Sequence, residues 1–163
     1  MAFLINLEDA LMSDHAFTFD DVLLIPNYNH FESRRMVDIS MTDKTGQLKL
    51  DLPIMTANMD TVTGTKMASF MNDKGGIGVL HRFWSIEDNV KAYKACSGEA
   101  FISVGCSKDE LERASALRDA GANYFCVDVA HAHAKYIGKT LKSLKKILPN
   151  ACIMAGNVAT YAG

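Results

Sequence analysis

A parallel α/β fold is what this 163-residue sequence predicts, and three observations carry the prediction. Residues 54–59, 76–80, 100–105, 124–130 and 151–158 are short runs that are apolar almost throughout, as strands buried on both faces are. Segments with helical periodicity lie between them, so strand and helix alternate along the chain. Several of the runs stop in polar residues (Asn58 and Asp60, His81 and Arg82, Asp128), and carboxyl ends of parallel strands are where α/β enzymes place their chemistry.

Near the start, Phe3, Leu4, Leu7 and Leu11 share one face of a short helix, and an extended stretch follows. The first strand, 54–59, leads into a helix over 65–72, and the second, 76–80, into a helix over 85–95. Ser85 is a good N-cap there, and Glu87 and Asp88 put negative charge in the first turn, where the helix dipole favours it. After the third strand, 100–105, Ser107 caps a helix that carries Leu111, Ala114, Ala116 and Leu117 and ends at Gly121. The fourth strand, 124–130, precedes a helix over 136–148 whose Lys139, Lys142, Lys145 and Lys146 form a solvated face. Pro149 and Asn150 break that helix before the fifth strand, 151–158. Five such steps suit an open doubly wound sheet or part of an eight-stranded barrel, and periodicity does not separate the two. The whole reads as a single domain, with 1–50 as an N-terminal extension and 51–163 as β/α units.

Composition narrows the function. With 48% hydrophobic and 22% charged residues the chain is an ordinary globular one, and a net charge of −2 gives no basic footprint for nucleic acid. No apolar run is long enough to cross a bilayer, and the first ten residues carry two acids and no cationic region, unlike a signal peptide. Cys96, Cys106, Cys126 and Cys152 show no CxxC spacing, and Cys126 and Cys152 sit in apolar runs as small hydrophobes, which fits a reducing, cytoplasmic setting.

Three motifs then point further. Ala57-Asn-Met-Asp-Thr-Val62 followed by Gly75-Gly-Ile-Gly-Val79, Phe19-Asp-Asp-Val-Leu-Leu-Ile-Pro26, and Ala155-Gly-Asn-Val-Ala-Thr160 resemble, in the same order, motifs of the IMP dehydrogenase and GMP reductase family. The resemblance runs from about residue 17 to the last residue. It implies a (β/α)₈ TIM barrel, of which this chain carries an N-terminal portion with about five β/α units. It also implies purine nucleotide chemistry: a cysteine thiolate attacks C2 of the nucleotide, and hydride is exchanged with a nicotinamide cofactor. In the family that cysteine follows the sixth strand, in a Gly-rich loop beyond residue 163, so no catalytic residue is assigned here and the isolated chain is expected to be inactive. A monovalent cation such as K⁺ would likewise be held by residues beyond this segment.

Residue by residue, the resemblance places Asp128 near the nicotinamide ribose, where a carboxylate accepts from hydroxyls. Ala130, His131 and Ala132 follow as part of the cofactor side, with Ala132 standing where the family usually has glycine. His131 and His133 lack a third ligand for a metal. Arg82 is the family's basic residue near the cofactor, and Ser33 and Arg34 match a pair that reaches a neighbouring subunit's cofactor, where an Arg fork suits the extra phosphate of NADPH. Asn58 and Met59 would line the purine end, and Asn157 would face the nucleotide.

Between the two activities, the direct passage from Lys94 to Ile102 leaves no room for the regulatory insert usual in the dehydrogenases, and Leu80-His-Arg-Phe83 and Ile153-Met-Ala-Gly-Asn157 look closer to reductases. His131 and His133 lean the other way, and some dehydrogenases lack the insert. The expected activity is NADPH-dependent conversion of GMP to IMP and ammonia by a homotetramer. The alternatives are NAD-dependent oxidation of IMP to XMP, or a half-barrel that acts at most as a binding or assembly module.

Overall fold

Two units make up the chain in a computed structural model that describes residues 18 and 20–163: one holds residues up to 38 with 160–162, the other 39–159 with 163. The expected helix bearing Phe3, Leu4, Leu7 and Leu11 lies outside the described residues, as does Phe19 of the N-terminal motif. In the first unit, Arg34–Met36 form a 3-10 turn whose cap is Ser33, its hydroxyl accepting from the Arg35 N–H at 3.3 Å.

The second unit opens with a short antiparallel hairpin, β1 (Met41–Thr42) and β2 (Lys49–Leu50). Its turn closes on Asp43, whose carboxylate accepts from the N–H groups of Leu48 at 2.7 Å and Thr45 at 3.1 Å. The β/α series follows: α1 (Thr65–Asp73), β3 (Gly78–Leu80), α2 (Ile86–Lys94), β4 (Ala100–Val104), α3 (Lys108–Asp119), β5 (Tyr124–Asp128), α4 (Lys135–Ile147) and β6 (Cys152–Gly156). The four strands pair in parallel in sequence order.

The expected first strand shrinks to one bridge, Met55 to Ile77. Beyond it the backbone is claimed by a turn: the buried Thr63 hydroxyl donates to the Ala57 carbonyl at 2.5 Å, and the Val62 and Thr63 N–H groups donate to the Met59 carbonyl. β4 stops one residue early because the Gly105 N–H leaves the ladder for the Glu110 carboxylate at 2.7 Å. β5 and β6 also end short of the expected 130 and 158. Ser85 caps α2 as expected, its hydroxyl accepting from Asp88 N–H at 3.0 Å. Ser107 occupies the cap position of α3 but makes no side-chain cap bond, so the first-turn Asp109 and Glu110 are what suit the dipole there.

Residues of alternate parity part to the two faces of the sheet. Leu80, Ala100, Ile102, Val104, Phe125 and Val127 pack against Ala68 of α1, Ala114 and Leu117 of α3, and Leu144 of α4, with Val90 and Tyr93 of α2 at the margin. Val79, Phe101 and Cys126 face the other way and meet Leu48 and Leu50 of the hairpin, with no helix among the described residues there. Helices on one face alone are the mark of a barrel wall, whereas a doubly wound sheet is covered on both.

α1 packs closely on β3. A Cβ placed on Gly78 would lie 2.5 Å from the Ala68 Cα, so no side chain fits between helix and strand. Gly75, which turns the chain from α1 into the sheet, has φ +80°, a conformation that other residues rarely adopt.

Gly78→Ala is therefore expected to cost roughly 1–3 kcal/mol in urea unfolding. Gly138→Ala, on the exposed face of α4 with no atom within 4 Å of the new methyl, is expected to stabilise by up to about 1 kcal/mol.

Candidate functional site at the carboxyl ends of the strands

The concave face is hydrophobic near its amino end and becomes polar two residues further along the strands. Phe101 and Tyr124 are aligned partners, and the next inward residues are Ser103 and Cys126, then Asp128. Into this polar layer reaches Asn58, from the loop after the Met55 bridge. Its side-chain amide donates to Ser103 Oγ at 2.9 Å and to Asp128 Oδ2 at 2.8 Å, joining a loop, β4 and β5 at one point. Both amide hydrogens are thus in use, which fixes the orientation of the amide. Ser103 is fully buried, and Asn58 and Asp128 are half-buried at the rim.

Next along the rim, the loop after β5 is laced to the end of β6. Asn157 N–H donates to the Val129 carbonyl at 2.7 Å, its side-chain amide donates to the same oxygen at 3.2 Å, and Ala132 N–H donates back to the Asn157 carbonyl at 2.8 Å. Asn157 therefore holds the segment Ala130, His131 and Ala132 in place, which leaves Ala130 and His131 exposed. The His131 and His133 rings lie 6.4 Å apart, and among the described residues no group of three or more His, Cys, Asp or Glu is gathered as metal ligands. Met59 is exposed beside Asn58.

The loop after β3 rests on a buried polar network. Arg113 of α3 donates to the carbonyls of Trp84 at 3.0 Å and Ser85 at 3.5 Å, to the Asn89 amide oxygen, and to Glu110 Oε1 at 3.2 Å. Asn89, fully buried in α2, passes the connection to the His81 carbonyl at 2.9 Å. Half-exposed Arg82 lies on this network, its guanidinium 3.9 Å from Glu110 Oε1 and 5.7 Å from the Phe83 ring centroid. Ser33 and Arg34 belong to the first unit and are described above.

His81 is buried against Trp84, with ring centroids 3.8 Å apart. Its Nδ1 accepts the Phe83 N–H at 3.2 Å, so the ring proton is assigned to Nε2, which has no partner among the described residues. Burial pushes the His81 pKa down, against a smaller opposite pull from Asp60. Burial also raises the thiols: Cys126 to about 11, with Asp128 adding to the effect, and Cys96 and Cys152 upward as well.

Of the residues expected from the sequence, Asn58 and Asp128 are brought into direct contact, and Asn157 is tied to the segment 130–132. Ser103, Asn89, Glu110 and Arg113 were not anticipated. Their signal is a polar residue on the inward parity of an apolar strand, or on the buried side of a helix.

A family described as IMP dehydrogenase / GMP reductase domain matches residues 16–163. The chain is 35% identical over 153 residues to a GMP reductase of Lactobacillus acidophilus, covering 91% of this chain and 46% of that protein. It is 36% identical over 149 residues to a GMP reductase of Paracidovorax citrulli, covering 88% and 45%. A solved structure, the inosine 5' monophosphate dehydrogenase of Legionella pneumophila, matches with TM-score 0.87 at 64% identity, covering 91% of this chain and 46% of that one. The chain thus spans about half the length of the curated relatives it matches.

The depressed His81 pKa has a signed consequence. On acidification the unfolded chain takes up the imidazole proton first, so stability is lost as pH falls below about 6.5, the ordinary histidine value. His81→Asn, which keeps an acceptor for the Phe83 N–H, is expected to flatten that slope in urea titrations at stepped pH.

Proposed function

Because the chain belongs to the IMP dehydrogenase / GMP reductase family, and its fold is a portion of that family's TIM barrel, we propose that it supplies one wall of a purine nucleotide oxidoreductase that converts GMP to IMP and ammonia with NADPH. The observation that carries this reading is the junction of Asn58, Ser103 and Asp128 at the carboxyl ends of the strands, with Asn58 inside one of the family's motifs. Only residues 95–99 separate α2 from β4, which supports the reductase over a dehydrogenase with a regulatory insert.

In the proposed reaction a cysteine thiolate attacks C2 of GMP and the amino group departs as ammonia, leaving a thioimidate. Hydride, supplied by NADPH, is added at C2, and expulsion of the thiolate gives IMP. Each turnover consumes two protons, oxidises one NADPH and releases ammonium. We place the reacting thiol outside the present residues, as we do any K⁺ site; burial shifts the Cys96, Cys126 and Cys152 thiols away from the reactive thiolate. Asp128 accepts from the cofactor ribose, Arg82 offers positive charge where cofactor and leaving ammonia meet, and Arg34 serves the extra phosphate of NADPH on a neighbouring subunit of a homotetramer. The free thiols suit a cytoplasmic site, and among the described residues no helix is long and apolar enough to cross a membrane.

A second reading, oxidation of IMP by NAD, is favoured by the 64% identity with the Legionella dehydrogenase structure. One assay separates the two. Protein made from the native gene is expected to oxidise NADPH when GMP is added, whereas NADH formation from IMP and NAD would replace the first reading by the second. Residues 1–163 alone are expected to turn over neither pair. Cys106→Ser should leave the rate intact, and Asp128→Ala should raise the KM for cofactor about tenfold or more.

A further inference from the structure

Asn58 stands in the family's nucleotide motif, yet its side chain is committed elsewhere. Both hydrogens of the amide are spent, one on Ser103 Oγ and one on Asp128 Oδ2. Reversing the amide would set its oxygen against the carboxylate, acceptor against acceptor, and would leave the Ser103 bond to the hydroxyl proton alone. Ser103 is fully buried on β4 and anchors the amide that also bonds Asp128. Asp128, half-buried at the end of β5, has one oxygen occupied by a neutral donor, and no described residue donates to the other.

We infer that Ser103 and Asn58 are positioning residues, which fix the Asp128 carboxylate so that one oxygen is filled from within and the other is held toward a ribose hydroxyl of the dinucleotide. The inference rests on the proposed function for the identity of that ligand. It removes Asn58 from direct contact with the purine and makes the buried hydroxyl of β4 a determinant of cofactor affinity. A positioned acceptor gains affinity because the ligand does not have to order it on binding.

The test is direct binding to the full chain from the native gene, with NADPH followed by its nicotinamide fluorescence and GMP by calorimetry. Ser103→Ala and Asn58→Ala are expected to weaken NADPH by about three- to tenfold, the range for losing one hydrogen bond of a pre-set acceptor, with GMP affinity unchanged. Asn58→Asp sets two carboxylates together. At low pH a shared proton restores the internal bond and NADPH binding with it, and at higher pH their repulsion weakens it, a profile that a merely structural role would not produce. Equal NADPH affinity in wild type and variants would overturn the positioning role while leaving the functional reading in place. Loss of GMP binding with NADPH unaffected would overturn it in favour of a purine contact. A wild-type protein that binds GMP but neither NADPH nor NAD would bring down the functional reading, and this inference with it.

Discussion

The register of four parallel strands is the constraint on which the rest depends. Val79, Phe101, Tyr124 and Cys152 are partners across the sheet, and each step of two residues carries the row further toward the carboxyl ends. The same parity that sends Leu80, Ile102 and Phe125 to the helices sends Ser103 and Asp128 to the concave face. A slip of one residue would exchange the two sets, putting a carboxylate among leucines and leaving aromatic rings without cover. Full burial of a side chain such as Phe101 or Leu117 contributes about 1.5–3 kcal/mol, so the apolar rows hold the polar one in position. The hairpin adds a stop at the amino end, where the Tyr124 hydroxyl donates to the Gln47 carbonyl at 3.0 Å and Gln47 donates to the Asn150 carbonyl at 3.2 Å.

A second kind of order comes from buried charge. Removing Glu110 and Arg113 from water is costly, and pairs of this kind commonly do little for net stability. What the pair provides is geometry: one guanidinium collects acceptors from the loop after β3, from α2 and from α3, and one carboxylate takes the first N–H beyond β4. The ends of two strands and the starts of two helices are thereby set against each other by directional polar bonds.

Much of this was legible in the sequence, for physical reasons that differ by element. The strands were visible because burial on both faces leaves nothing polar in 100–104 except Ser103, and α2 because Ser85, Glu87 and Asp88 form a capped, charged first turn. The first strand was overextended because Thr56, Ala57 and Asn58 are compatible with a strand, while the bonds from Thr63 that bend the chain away close a loop that two-residue periodicity does not register. Asp128 was found by its place at a strand end together with the family resemblance. Its link to Asn58 spans 70 residues and that of Asn58 to Ser103 spans 45, and local periodicity carries no information over such separations. Arg113 and Asn89 were not anticipated, because a helix face is assigned as buried from its apolar members.

The pairing of one carboxylate with two guanidiniums leaves a sum of charge at the rim. Glu110 is matched internally by Arg113, at 3.2 Å, so Arg82 at 3.9 Å adds a net unit of positive charge to the group, and does so from its half-exposed edge. At physiological ionic strength such a charge is felt over about 8 Å. The same open end carries the Asp128 carboxylate, so the attraction for a phosphate is confined to the neighbourhood of Arg82, and added salt weakens it.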